Sequence, residues 1–268
     1  MSNICLITAL PVEARPLVAH FRLSSVAHRY LRLYRGEHCI LLQCGVGKLN
    51  AAAATAAMLE YCPQVNAIVN VGIAGADQPL GTVVIAHAIK DEGSGRQWFP
   101  HLPAKRKLAD AASIDVLTVD SARTNYDKQT AFDMEASGVA LAASKRIDMA
   151  FVHSVKVVSD NGESPIDAIS LSSVTTGMEK TFNVVENLID TLPFDTQAKN
   201  QTIDHCVNEL TKRIHYTETE KHKLTRLLQR LQATQGHIPS ADDLAGHSNA
   251  KKIRIQLQQN LDNTPVRY

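Results

Sequence analysis

The chain has no C-x-x-C pair. Its five cysteines, Cys5, Cys39, Cys44, Cys62 and Cys206, stand apart, so neither a zinc knuckle nor a dithiol redox site is indicated. Most lie in apolar runs and read as reduced core thiols of a cytosolic protein. No apolar run approaches the roughly 18 residues of a membrane span. The opening stretch MSNICLITALPVEARP lacks the basic region and small-residue cleavage site of a secretory leader. Its apolar run ends at Pro11, as a buried strand would. A surplus of one charge is also missing: a formal net charge of +1 gives no global attraction to nucleic acid or membrane. There is no internal repeat and no low-complexity tract. These absences leave a cytoplasmic protein without a membrane partner, and 268 residues suffice for one large domain or a medium domain with an appendage.

What is present is an alternation. NICLITAL reads as a strand, and PVEARPLVAHF as a helix with Pro11 in its first turn. HRYLRLYRGEHCILLQCG reads as a hairpin broken at Arg35-Gly36, and VGKLNAAAATAAMLEY as an Ala-rich helix. NAIVNVGIAGA is a continuous apolar run ending in glycine, as expected of a fully buried central strand. GTVVIAHAIK, SIDVLTVD and DMAFVHSVKVVSD read as further strands. AFDMEASGVALAASKR and PIDAISLSSVTTGMEKTFNVVENLIDTL read as helices. Strands alternating with helices predict an α/β fold whose central sheet is mixed, largely parallel and flanked by helices. Residues 1–193 form this domain. The polar stretch at 194–200 reads as a linker, and 201–268 as an all-helical appendage with Leu at helical spacing. There, Thr217 with Glu220 makes a capping box, and Gly236 with Pro239 marks a break between helices.

In an open α/β sheet, ligands collect at the carboxyl ends of the strands. Glu13, the GVG at 45–47, the GIAGA at 72–76 and the SDN at 159–161 all fall there. The helix read over 131–146 places Asp133 and Glu135 in one turn of a small-residue segment. One carboxylate there offsets the helix dipole, and a second is free to face a pocket. GVGKLN lacks the spacing and ending of a Walker loop, so its glycines read either as turn residues or as an anion site. Glu13 alone could decorate a helix start, and Asp160 alone could be a turn residue. Lys156, inside an apolar strand, must snorkel, pair or line a polar cavity.

The segments ITALPVEARPLV, GVGKLNAAAATAAMLE, VNVGIAGA, DMEASG and VKVVSDN resemble, in order and spacing, the nucleoside phosphorylase superfamily. The nearest branch is the methylthioadenosine/S-adenosylhomocysteine nucleosidases and their relatives. The resemblance covers roughly residues 3–192 and implies a nucleoside phosphorylase-like fold, with neither cofactor nor metal. It implies hydrolysis of a purine-type nucleoside at the N-glycosidic bond, in a homodimer. By resemblance Asp160 is the general acid and Glu13 orients and activates water. Glu135 binds the ribose hydroxyls, and Met134 packs against the sugar. Ala74, Gly75, Ser159 and Lys156 are further substrate-binding residues, and Asp133 becomes the dipole-compensating carboxylate.

The chain departs from that pattern at three places. Lys156 stands where an arginine is usual, and Ile73 replaces a hydroxyl residue. The aromatic that stacks on the base falls at Ala122, leaving Tyr126, Trp98 or Phe99 to take the role. A carboxylate at Glu13 would repel phosphate, so hydrolysis is expected over phosphorolysis. A phosphate-dependent phosphorylase is the alternative, and a non-catalytic nucleoside-sensing domain coupled to the tail is a further one. The appendage reads either as a helix-turn-helix-like module contacting nucleic acid or as a docking or dimer-stabilising tail. Its charge is mixed rather than a basic block, which favours the second.

Overall fold

The computed structural model describes residues 3–102, 108, 110–191, 196–235, 237–244 and 249–262. The chain divides into two compact units, Met1–Leu192 and Pro193–Tyr268.

The first unit is built on one mixed sheet. Its strands are β1 (Ile4–Thr8), β2 (Ser24–Val26), β3 (Arg32–Arg35), β4 (Cys39–Gln43), β5 (Ala67–Gly75), β6 (Val83–Asp91), β7 (Gln97–Trp98), β8 (Ala112–Thr118), β9 (Thr130–Asp133) and β10 (Val152–Asp160). The centre is parallel: β4 pairs with β1, β1 with β5, and β5 with β10 along most of its length. From β10 the sheet turns back antiparallel through β6, then parallel through β8 and β9. β9 closes on β5 at Phe132 and Gly75. Five strands, β5–β10–β6–β8–β9, thus form a ring, and the β4–β3–β2 meander extends the other side of β5. β1, β4, β5 and β10 are buried along nearly all their residues, because helices α1 (Pro11–His20), α2 (Lys48–Tyr61), α3 (Ala136–Ala143), α4 (Leu171–Lys180) and α5 (Phe182–Thr191) cover the sheet. This is why those strands read as continuous apolar runs. α2 and α3 pack with almost no gap: a Cβ on Gly138 would fall 2.0 Å from the Lys48 carbonyl oxygen.

Two helices read from the sequence differ in the structure. AFDMEASGVALAASKR is not helical throughout: its first residues are β9, and α3 begins only after Glu135, which takes the N-cap position. The Thr130–Asp133 segment alternates half-buried and buried positions and pairs with β8, a period of two that a helical reading misses. Asp133 therefore ends a strand, although its Oδ2 still accepts from the Glu135 and Ala136 amides that start the helix. The stretch from Pro165 to Leu192 is not one helix either. A 3-10 turn at Ile166–Ala168 precedes α4, which Ser170 caps, and the chain breaks at Thr181 before α5. A second 3-10 turn, Met149–Phe151, replaces the start of the strand read as DMAFVHSVKVVSD.

The second unit contains α6 (Thr196–Arg213), α7 (Glu218–Gln235), α8 (Ala241–Leu244) and α9 (Ala250–Asp262). Residues 196–200, read as linker, are already the first turns of α6, while 194 and 195 lie outside the described residues. Leu210, Leu228, Leu231, Ile253 and Leu257 anchor an apolar core of its own. Each fully buried side chain of this size contributes about 1.5–3 kcal/mol. The Thr217–Glu220 capping box forms as read, with Glu220 Oε2 accepting from the Thr217 amide and Thr217 Oγ1 accepting from the Glu220 amide. Gly236 lies outside the described residues. No helix among the described residues is long and apolar enough to cross a membrane.

Candidate active site

The carboxyl ends of β5, β9 and β10, the β1–α1 turn and the loop after β8 surround a cavity of about 200 Å³. Ile73, Ala74 and Gly75 come from β5, Phe132 and Asp133 from β9, and Ser159 and Asp160 from β10. Leu10 and Glu13 close one side, and Ala122 and Arg123 the other. A larger cavity of about 440 Å³ under α4 shares Ile73, Ser159 and Ile169 with it. That second cavity is lined by aliphatic groups, serines and Lys180, and the carboxylates belong to the smaller one.

Glu13 is held by backbone alone. Its Oε2 accepts from the Ala9 and Leu10 amides at 2.9 and 2.8 Å, and its Oε1 from the Ile73 amide at 3.0 Å. A carboxylate offers about four acceptor positions, so one remains on Oε1. Pro11 opens α1, and the helix start turns Glu13 back onto the amides before it.

Glu135 occupies the N-cap of α3 with its Oε1 accepting from the Gly47 amide at 2.8 Å. Gly47 has φ of 96°, a conformation that favours glycine, and this aims its N–H at the carboxylate. The GVG motif thus serves a side chain of its own protein at this amide. Burial pushes Glu135 up to about 7, with Asp133 and Glu13 adding to the effect and Lys156 and the Gly47 amide opposing it.

Lys156 does not line the cavity. It is 1% exposed, and its ammonium sits 2.8 Å from Asp133 Oδ2. Of the three options for a strand lysine, pairing is the one realised. Burial works against its charge, but Asp133 and Glu135 outweigh it and hold Lys156 above its ordinary value. Asp133 is further held by Thr118 Oγ1, which donates to Oδ1 at 2.6 Å. Glu13 Oε1 and Lys156 Nζ also converge on Gly72, where a Cβ would lie 2.8 and 3.6 Å from them.

Asp160 ends β10 and is 4% exposed. The Tyr126 hydroxyl donates to its Oδ2 at 2.7 Å, and Ser159 Oγ donates to its Oδ1. Gly75 must lack a side chain, because a Cβ there would fall 2.6 Å from Asp160 Oδ2 and 2.8 Å from Tyr126 Cε1. Burial, then the hydrogen bond to Asp160 and its charge, pushes the Tyr126 phenol up to about 12. Behind Asp160, Asn161 Oδ1 accepts from the Glu163 and Ser164 amides, and its Nδ2 donates to the Gln78 carbonyl. Asn161 is the turn residue of SDN.

The structure therefore brings Glu13, Glu135, Asp160, Met134, Ala74, Gly75 and Ser159 to one cavity and leaves Lys156 beneath it. Ala122, where the resemblance puts the base-stacking aromatic, lines it too. Of the aromatics considered, Tyr126 reaches Asp160, Trp98 packs in the core and Phe99 is exposed. Phe132 and Arg123 line the cavity, with the Arg123 guanidinium 5.6 Å from the Phe132 ring centroid. Sequence reasoning missed both, Phe132 because the segment was read as helix. No group of three or more His, Cys, Asp or Glu able to hold a metal occurs among the described residues.

A model of the phosphorylase superfamily matches residues 3–127. A 5′-methylthioadenosine/S-adenosylhomocysteine nucleosidase from Chromohalobacter salexigens is 26% identical, over 52% of this chain and 77% of that protein. Among solved structures, the nucleosidase of the same description from Colwellia psychrerythraea, in complex with adenine, has a TM-score of 0.59 at 20% identity, covering 72% of this chain and 96% of that one. The 5′-methylthioadenosine nucleosidase of Arabidopsis thaliana has a TM-score of 0.63 at 20% identity, covering 72% and 97%. The α/β unit is thus similar in sequence to the phosphorylase superfamily over residues 3–127 and shares the fold of these nucleosidases.

Proposed function

We propose that this protein hydrolyses the N-glycosidic bond of a purine-type nucleoside, releasing the free base and the ribose derivative. The observation that carries the reading is the convergence of Glu13, Glu135 and Asp160 on one cavity of about 200 Å³. The similar proteins described as nucleosidases, one of them bound to adenine, support it.

In this reading Asp160, in its acid form, gives its proton to the five-membered ring of the base as the C1′–N bond breaks and its electron pair moves onto the base. Such a proton transfer contributes typically ~10²–10⁴ in rate. The open acceptor position on Glu13 Oε1 orients a water, takes its proton and leaves its oxygen to bond C1′. Glu135 accepts from the ribose hydroxyls, Met134 packs against the sugar, and Phe132 supplies an aromatic wall for the base. Positive charge developing on the sugar lies near the Glu13 and Glu135 carboxylates, which is electrostatic stabilisation of the transition state. The same carboxylates disfavour a phosphate dianion as nucleophile.

The test is chromatographic detection of free base from methylthioadenosine, S-adenosylhomocysteine, adenosine, inosine and modified purine nucleosides, with and without phosphate. Release without phosphate is the expected result. Release only with phosphate overturns hydrolysis in favour of phosphorolysis, and silence across the panel removes the support for turnover and favours a nucleoside-binding domain.

A further inference from the structure

The second unit carries the chain's excess of positive charge. Residues 193–268 hold 11 Lys and Arg against 8 Asp and Glu, whereas residues 1–192 hold 17 against 19. The surplus is modest, but its arrangement is not random. The acidic side chains of the unit are largely engaged locally. Glu209 pairs with Lys212, Glu218 with Lys221, and Asp242 with Arg213. Glu220 and Asp243 close capping interactions with Thr217 and Ser240.

The exposed cations left without an ion pair among the described residues are Lys223 and Arg226 on α7 and Lys251 and Lys252 on α9. α7 and α9 pack against each other, which keeps these charges on one small helical body. α9 has no acidic residue from Ala250 to Leu261. Its buried positions, Ile253, Leu257 and Leu261, follow a helical period. Its outward stripe is Lys251, Lys252, Ile255 and Gln259, with Arg254 half-exposed beside it. Ile255 is an aliphatic side chain 45% exposed in that polar stripe. The order is thus cations at the helix start, one apolar contact, then an amide.

That order matches what a duplex offers to an inserted helix. Cations meet phosphates, an aliphatic group meets a thymine methyl, and an amide pairs with the edge of adenine. α9 has 13 residues, about 20 Å at 1.5 Å per residue. The major groove of B-form DNA is about 12 Å wide and admits a helix, whereas the A-form RNA major groove excludes side chains. We infer that the second unit binds double-stranded DNA, with α9 presented to the major groove and Lys223, Arg226, Lys251 and Lys252 neutralising phosphates. This inference is independent of the nucleosidase reading.

The test uses the full-length protein and fluorescence anisotropy with a labelled mixed-sequence duplex of about 30 bp, long enough for several overlapping sites. Expected is binding with Kd of about 10⁻⁴–10⁻⁶ M or tighter, weakening with salt at a log-log slope of about −3 to −4 for four neutralised phosphates. Lys251→Gln with Lys252→Gln should weaken binding about tenfold or more and reduce the slope by about 2, with base release and the thermal melt unchanged. Duplex RNA of the same sequence should bind about tenfold more weakly or worse. No binding at low salt overturns the inference, as does affinity indifferent to the double variant. Equal affinity for the RNA duplex overturns the groove assignment.

Discussion

The Tyr126 hydroxyl sits 2.7 Å from Asp160 Oδ2, on the carboxyl group that the proposed mechanism uses to protonate the base. Ser159 Oγ occupies Oδ1 of the same carboxylate, so both oxygens are engaged before any ligand arrives. A phenol raised to about 12 stays a donor throughout the neutral range. In the proposed mechanism, proton delivery from Asp160 therefore requires the base to displace the phenol or share the carboxylate with it.

Asp160→Asn keeps the acceptor oxygen and the shape of the side chain but cannot deliver the proton. Base release should fall by about 10²–10⁴, with a thermal melt close to that of the parent protein. Steady-state turnover and circular dichroism on the same preparation check both halves. Retained activity would move the general acid to another residue.

Tyr126→Phe removes the competing donor. A hydrogen bond of this kind is worth about 1 kcal/mol net, so KM for the nucleoside should fall about fivefold. An increase in KM would instead mean that the Tyr126 hydroxyl touches the substrate directly. Comparing KM and kcat for the two proteins at one pH decides between these.

Glu135 gives a pH dependence. Its pKa in the folded protein is raised from 4.5 to about 7 by burial and by neighbouring Asp133 and Glu13, against the pull of Lys156. The native state therefore holds this proton more tightly than the unfolded chain, so stability from this group falls as pH rises from about 4.5 to about 7. The ionised form accepts better from ribose hydroxyls. Expected is a kcat/KM that climbs to a plateau through pH about 7, and a Glu135→Gln variant that lacks this limb and sits about 10- to 100-fold lower, the worth of a charged hydrogen bond. A parent profile flat between pH 6 and 8 would remove Glu135 from sugar binding, about one unit on either side of that value.

His153 bears on stability at acid pH rather than on catalysis. It is fully buried in β10, and neither ring nitrogen has a hydrogen-bond partner among the described residues. Burial, with His101 adding, lowers it from 6.5 to about 4, and the backbone at Ala150 opposes this only weakly. The unfolded chain thus binds a proton between these values that the native state refuses, and stability is lost as pH falls from about 6.5 towards about 4. At pH about 5 the loss from this group is about 2 kcal/mol, at 1.36 kcal/mol per pH unit. Urea unfolding at neutral pH and at pH about 5 should show that loss in the parent and its absence in His153→Leu. Equal losses in the two proteins would assign the acid sensitivity to other groups.

Strand positions in the α/β unit were legible because fully buried parallel strands leave unbroken apolar runs, as in NAIVNVGIAGA, and because glycine marks their ends. The convergence of Glu13, Glu135 and Asp160 was legible for the same reason: each lies at a strand end or at a helix start. What the sequence concealed were elements too short to show a period. β9 has four residues and borrows its partner strand from another part of the chain, so its residues were absorbed into the neighbouring helix. Phe132 was lost from the site with them. The break at Thr181 was hidden because α4 and α5 keep helical spacing on both sides, and nothing local marks where a helix must turn to stay on the sheet. The Lys156–Asp133 pair joins residues 23 apart in sequence, and a lone strand lysine cannot name its partner.

That pair makes the last prediction. Asp133 has three donors besides Lys156, namely Thr118 Oγ1 and the Glu135 and Ala136 amides, so Lys156→Met leaves it hydrogen-bonded. The variant does not leave it electrically compensated. Asp133 and Glu135 are both buried, with Glu13 close by, and no other cation touches Asp133 among the described residues. Removing one partner of a buried pair costs about 3–5 kcal/mol, so Lys156→Met should lose that much in urea unfolding. It should also push Glu135 further up and move the rising limb of kcat/KM to higher pH. A loss below about 1 kcal/mol, the usual scale of a single neutral hydrogen bond, would show that the three donors suffice and that the ammonium is dispensable for holding the carboxylates together.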